Sequence, residues 1–255
     1  MLKKSLFLAF VFAVALSFYG CAPKTPKEFD NDKDLFEYGM RLYNDGSYTE
    51  AVSFFETLKN KYPTSPYIVD AEFKLAESYF KKGDWIEAVY AFHNFRSLHP
   101  TNSQVPQAMY MSAVSYFKQI PGSIDRDQTN TINCINSIED LMGKYPSFED
   151  KPKALDLLSK CKRMLAKREL YIANFYLKQN SYSAALGRLE TIKNNYDFKD
   201  LKEEALYKLA YSYNELQNKE KTIESLNELM ALQPDGKFRK KADQLMAKIE
   251  TKGNK

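Results

Sequence analysis

Two rhythms run through the chain together: apolar residues recur every three to four positions within segments, and the segments recur 37 positions apart. Between residues 35 and 63 the marked places are Leu35, Tyr38, Gly39, Leu42, Gly46, Tyr48, Ala51, Phe55, Leu58 and Pro63. Shifted by 37, they hold Glu72, Leu75, Ala76, Tyr79, Gly83, Trp85, Ala88, Phe92, Phe95 and Pro100. The short step is the helical one, gathering apolar side chains on one face. Gly46 and Gly83 predict a break just past a first helix, where a left-handed residue carries least strain in glycine. Pro63 and Pro100 end a second helix, because proline lacks an N–H and its ring collides with the preceding turn. Gly39 or Ala76 must be small where the second helix crosses the first, and Ala51 or Ala88 for the mirror-image reason.

Helix pairs with small, aromatic and proline places at one offset form the tetratricopeptide pattern. It predicts an all-α fold, a tetratricopeptide-repeat solenoid of about five helix pairs with a long fourth-repeat first helix and a C-terminal capping helix. The third pair starts at Ala113 and Tyr116, carries an insert over Gln119–Asp127 between its helices, and ends at Pro146. The fourth uses Ala173, Tyr176, Tyr182, Ala185, Leu189 and Ile192, with Asp197 in the proline place; the fifth uses Ala210, Tyr213, Leu226, Leu229 and Pro234. Lys153–Gln179 lacks Gly and Pro and predicts one uninterrupted helix, a strut between two halves. A last helix from Lys237 to Ile249 supplies the polar outer face that a terminal repeat needs.

The ends change the picture. Lys3 and Lys4 precede the apolar run Leu6–Leu16, and Gly20-Cys21 follows, so residues 1–20 have the form of a secretory leader, too short for a membrane span. A cysteine at that junction predicts lipid attachment at Cys21, and no cofactor beyond that covalent lipid is expected. Acyl chains would hold the protein on a membrane at ~0.8 kcal/mol per buried methylene. Residues 21–33, with Pro23 and Pro26, predict a flexible polar tether. The expected organisation is therefore leader 1–20, tether 21–33, an N-terminal half 34–150 with repeats 1–3, and a C-terminal half 151–255 with repeats 4–5 and the cap. Residues 21–150 hold 13 Lys+Arg against 19 Asp+Glu, a net of −6, whereas 151–255 hold 22 against 14, a net of +8. The contrast points to two surfaces that meet different partners. Nucleic acid is not expected among them, since the chain reads as exported and its basic residues are spread over several helices.

Enzymatic chemistry has no footing in the sequence. There is no glycine-rich phosphate loop, nucleophile elbow or H-E-x-x-H. His93 and His99 have no cysteine or carboxylate pattern of a metal site beside them, and metal-ligating residues are expected to be none, like catalytic ones. Cys134 stands where earlier repeats have Ala51 and Ala88, which predicts a small core residue; a Cys134–Cys161 disulfide is an open alternative in an oxidising compartment.

Several stretches together resemble the BamD (YfiO) family, the tetratricopeptide lipoproteins of the outer-membrane β-barrel assembly (BAM) machinery. They are Lys61-Tyr62-Pro63-Thr64-Ser65-Pro66-Tyr67, Leu98-His99-Pro100-Thr101, the insert Ile124-Asp125-Arg126-Asp127-Gln128, the run Leu165 to Tyr176, and Tyr182 to Glu190. The resemblance covers essentially the whole mature chain. It implies the periplasmic face of the outer membrane, with contact to the membrane through the lipid alone. It also implies binding to the POTRA repeats of a BamA-like barrel protein through the C-terminal half, receipt of unfolded outer-membrane β-barrel proteins, and a place beside other Bam lipoproteins. Arg188 matches an arginine that the family uses against BamA. A different periplasmic tetratricopeptide adaptor, for example in cell-wall assembly, is the competing reading.

The repeats carry one more expectation. Stepping three residues back and four forward from each small crossing residue follows one helix face. In the first three repeats those places are Phe36 and Tyr43, Phe73 and Phe80, and Tyr110 and Phe117. Later units hold Leu170, Leu177, Tyr207 and Asn214 there. The stripe predicts an aromatic groove for a substrate peptide in the N-terminal half, unless the rings pack inward between helices. On the insert, Asp127 is expected to cap the helix that follows, and Arg126 to meet a partner or a neighbouring repeat.

Overall fold

The computed structural model describes residues 24–253; the leader and Cys21 lie outside them. Eleven α-helices and no strand occur among the described residues. They are α1 Asp32–Asn44, α2 Tyr48–Lys61, α3 Ile68–Lys82, α4 Trp85–Leu98, α5 Val105–Lys118, α6 Thr129–Lys144, α7 Lys151–Lys178, α8 Tyr182–Asn195, α9 Lys199–Glu215, α10 Lys219–Leu232 and α11 Arg239–Gly253. The fold is the expected tetratricopeptide solenoid. Two compact units make it up, one ending at Asp84 and one running from Trp85.

In the first unit, Leu35, Ala51, Phe54, Phe55, Leu58, Ala71 and Leu75 form the core. Gly39 is required by contact: a Cβ there would lie 2.9 Å from Phe55 Cε1 and 3.2 Å from Phe54 Cβ. Gly46 and Gly83 adopt φ of 80° and 91°, the left-handed turn their places predict. The start of this unit corrects the tether. Pro26–Glu28 forms a 3-10 turn closed by a Thr25–Glu28 capping box. Phe29 follows, its ring 5.2 Å from Tyr38 and 5.3 Å from Phe54. Helix α1 opens at Asp32, with Asn31 Oδ1 accepting from the Asp34 N–H at 2.8 Å. Chain expected to be extended up to residue 33 is anchored because Phe29 has an apolar face to cover.

The second unit holds the remaining helices. Its glycine turn places are taken by Asn180 and Gln217, both with φ near +57° (57° and 56°). The strut is present: α7 has 28 residues, roughly 42 Å of helix. It does not divide the chain at 150/151, where the halves were expected to part. The first turns of α7 bury Ala154, Leu157 and Cys161 and pack on α6, while Ala166, Leu170 and Ala173 join the core shared with α8, α9 and α10. A helix committed to both sides leaves no seam at its own start. The cap α11 buries Ala242, Leu245 and Ile249. Just before it, the Phe238 N–H donates to the buried Glu203 Oε1 at 2.8 Å, and the Phe238 ring stacks on Tyr207 at 5.1 Å.

One tie repeats with the sequence period. Tyr79 on α3 donates its hydroxyl to Glu56 Oε1 on α2 at 2.5 Å, and Tyr213 on α9 donates to Glu190 Oε1 on α8 at 3.2 Å, each across 23 residues. A half-buried phenol in Tyr79 and a buried one in Tyr213, each satisfied by a carboxylate of the preceding helix, help fix the register between helices.

Candidate interaction surface

The six rings of the predicted groove are not alike. Phe73 is 3 % exposed and belongs to the packing, which corrects its assignment to a groove. The other five are half-buried. Phe36 stacks on Tyr67 at 5.0 Å and leans on Phe55. Tyr43 donates to Glu77 Oε2 at 3.2 Å, under the Lys74 ammonium 4.6 Å from its ring. Burial, with the Glu77 carboxylate beside it, pushes the Tyr43 phenol well above its ordinary range. In the second unit, Tyr110 lies 5.6 Å from Phe148, its phenol raised by burial and then by Asp150. Phe80 and Phe117 likewise show only part of their rings. These side chains serve their own helices first.

Exposed rings occur on α7 and α9. Tyr171 and Phe175, one turn apart on α7, are 49 % and 53 % exposed, and Tyr211 on α9 is 38 % exposed. Tyr211 meets Tyr182 edge to face at 5.9 Å. Beside them Tyr171, Asn174, Phe175, Leu177, Lys178 and Lys208 line an open cleft of about 570 Å³. Lys208 Nζ is held by Asn174 Oδ1 at 2.5 Å and by Glu204 at 3.2 Å, which fixes an ammonium at the cleft wall. Lys178 is exposed at its end. Stepping from Ala173 by helical spacing lands on Leu170, which is buried, and on Leu177 at the cleft's edge, and so passes over the exposed rings between them. The available signal was the Tyr171/Phe175 pair at i, i+4, matched by Tyr207/Tyr211 on the next first helix.

Arg188 on α8 is exposed, and its guanidinium donates to Glu169 Oε2 at 3.1 Å. One carboxylate orients it while its other donors stay open to a partner. Arg126 is exposed on the insert. The buried Gln128 anchors that loop, donating from Nε2 to the Arg126 carbonyl at 3.2 Å and accepting from Thr131 Oγ1 at 2.7 Å. Asp127 accepts from the Thr129 N–H at 3.1 Å and from its hydroxyl at 2.9 Å, but it is not the N-cap it was expected to be: that place, one residue on, belongs to Gln128. His93 is exposed, 3.4 Å from Arg96, in a cleft of about 270 Å³ where Arg96 pairs with Asp140 at 3.1 Å. No helix among the described residues is long and apolar enough to cross a membrane.

Comparison with known proteins agrees with this picture. The family model described as YfiO, outer membrane lipoprotein, matches residues 29–229. An outer membrane protein assembly factor BamD from Caulobacter vibrioides is 28% identical over 205 residues, 78% of this chain and 67% of that protein. Its counterpart from Rickettsia prowazekii is 34% identical over 93 residues; that match spans 35% of this chain and only 36% of the relative. Among solved structures, a tetratricopeptide-repeat protein from Bacteroides fragilis is 13% identical, with 88% of this chain and 99% of that one covered and a TM-score of 0.47. The chain is an interaction scaffold and not an enzyme.

Proposed function

The chain belongs to the YfiO family of outer membrane lipoproteins, and from that premise we propose that it is the periplasm-facing subunit of an outer-membrane β-barrel assembly complex. In this reading lipid on Cys21 holds it to the membrane. The C-terminal half, with Arg188 as a specific contact, binds the POTRA repeats of a BamA-like barrel protein. The relatives named as assembly factors support this role. So do the net positive charge of that half and the exposed, carboxylate-oriented guanidinium of Arg188. Arg126, presented by the anchored insert, is a second contact for a complex subunit.

The observation that carries the receiving function is the exposed aromatic cleft on α7 and α9. Residues i and i+4 of a helix are ~6 Å apart along the axis, close to the ~6.7 Å between same-side residues of an extended strand. Tyr171 and Phe175 can therefore meet two successive outward residues of a barrel strand, which alternates apolar and polar positions. Lys178 and Lys208 suit acidic groups or a terminal carboxylate on such a segment. For unfolded barrel segments this cleft is a stronger candidate than the N-terminal rim, whose rings are half-buried and whose Phe73 is core.

Pull-down of the full-length protein from solubilised outer membranes tests the reading. Recovery of a barrel protein with POTRA repeats, lost on Arg188→Glu with helicity unchanged, is the expected result. Recovery of cell-wall enzymes without a POTRA protein would instead favour the adaptor alternative and overturn this one.

A further inference from the structure

Two thiols that lie 27 residues apart in the chain meet inside the second unit. Cys134 on α6 and Cys161 on α7 are both free and wholly buried, 0% exposed, on helices that pack together, and each thiol perturbs the ionisation of the other. Cys134 occupies the place where other repeats carry Ala51 and Ala88. Alanine fills that place elsewhere, so packing by itself does not call for sulfur. We infer that Cys134 and Cys161 are a redox pair that closes to a disulfide in the exported protein, stapling the long helix to the third repeat. The inference rests on the proposed periplasmic location, since disulfides persist in oxidising compartments.

The chemistry balances with a disulfide, protein or small molecule, as oxidant. One cysteine thiolate attacks it and expels a thiolate; the other then attacks the mixed disulfide and expels the second. Two protons and two electrons leave the pair, the oxidant ends as two thiols, and the Sγ–Sγ bond forms. Exchange takes place as the chain folds, before both sulfurs are covered. Once folded, the thiol pair is inert, because both sulfurs are wholly buried and out of reach of an oxidant. The bond holds the first turns of α7 on α6 while its last turns stay with the fourth repeat. The proposed cleft at Tyr171 and Phe175 is thereby set on a strut tied at both ends.

The test uses the full-length protein with its own leader, extracted in detergent after acid quenching. Non-reducing tryptic mass spectrometry should find peptide 127–144 joined to the peptide holding Cys161. Adding reductant should lower the melting temperature by roughly 10 °C, the scale set by a 27-residue loop. The Cys134→Ala variant should keep its helicity and lose the reductant effect. The same preparation, unfolded and refolded with oxidised glutathione, reports bond formation independently of location. A cleaved, membrane-borne protein with both thiols alkylatable overturns the inference, as does refolding in oxidised glutathione without the linked peptide. An uncleaved leader together with a bond formed in glutathione would instead count against the location and uphold the pair.

Discussion

Replacing Phe175 by serine removes the most exposed ring of the α7–α9 cleft, and its effect can be sized from the structure. A phenylalanine side chain presents an area on the order of 150–250 Å². At 53 % exposure, about 100 Å² of it faces water. Covering that area with an apolar ligand residue is worth ~2.5 kcal/mol at ~25 cal/mol per Å². Serine keeps little of the surface, so with incomplete covering the loss is about 2 kcal/mol, roughly 30-fold in Kd. Tyr171→Ser should cost somewhat less, since the phenolic oxygen stays wet. The assay is fluorescence anisotropy with a labelled peptide of alternating apolar and polar residues ending in an aromatic carboxylate. Stability should move by less than ~0.5 kcal/mol, because the ring is on the surface. A Kd within twofold of the parent, with circular dichroism unchanged, would refute the placement of the peptide on this face.

Phe73→Ser should behave oppositely: a ring 3 % exposed is core, and its loss should cost about 3–5 kcal/mol by thermal melting. Glu203→Ala removes the acceptor of the Phe238 N–H and should cost about 2 kcal/mol, a melting shift of roughly 4–8 °C. Glu203→Gln retains an acceptor and should lose less, and hydrogen exchange should show α11 protected in it but not in the alanine variant. Gly39→Ala should destabilise by about 1 kcal/mol through its clash with Phe54 and Phe55. Gly187→Ala, with open space at its Cβ, should stabilise by about 0.5–1 kcal/mol. The hydrogen bond from Arg163 holds Asp200 below its ordinary carboxylate range, so the tie contributes above the unfolded pKa of ~3.9 and is lost as pH falls. Melting curves of Asp200→Asn should then lie below the parent at neutral pH and meet it under acid conditions.

The helices were legible because each buries one stripe, and the stripe repeats at a fixed offset. The strut was expected at residues 153–179 and spans 151–178, since a long run without Gly or Pro has little else to form. Glycines fixed the turns of the first two repeats, but Asn180 and Gln217 gave no such mark, adopting left-handed φ without a glycine to announce it. Phe29 escaped notice because a single aromatic in a polar segment has no period; only Tyr38 and Phe54, from two helices, make a seat for it. The exposed face of α7 was missed for a geometric reason. The repeat phase locates residues that touch neighbouring helices, and outward residues lie between those positions. The Cys134–Cys161 pair stood in the sequence only as an open alternative, since whether α6 and α7 bring the two thiols together is set by packing and not by spacing.

How each unit fills its core bears on where partners can be gripped. The first unit spends its rings on structure: Phe54 and Phe55 are wholly buried, Phe36 stacks on Tyr67, and Tyr43 is tied to Glu77. Changing any of these to suit a ligand would disturb packing worth several kcal/mol. The core around α7–α10 is built chiefly from Ala, Leu and Ile, with Tyr213 and Phe238 at its edge. Aliphatic packing there leaves Tyr171, Phe175 and Tyr211 outside, where each can be exchanged at little cost to folding. A recognition surface that must suit many unfolded strands is best made of such rings: they give contact area with few rotors to freeze, and their identity is decoupled from the fold.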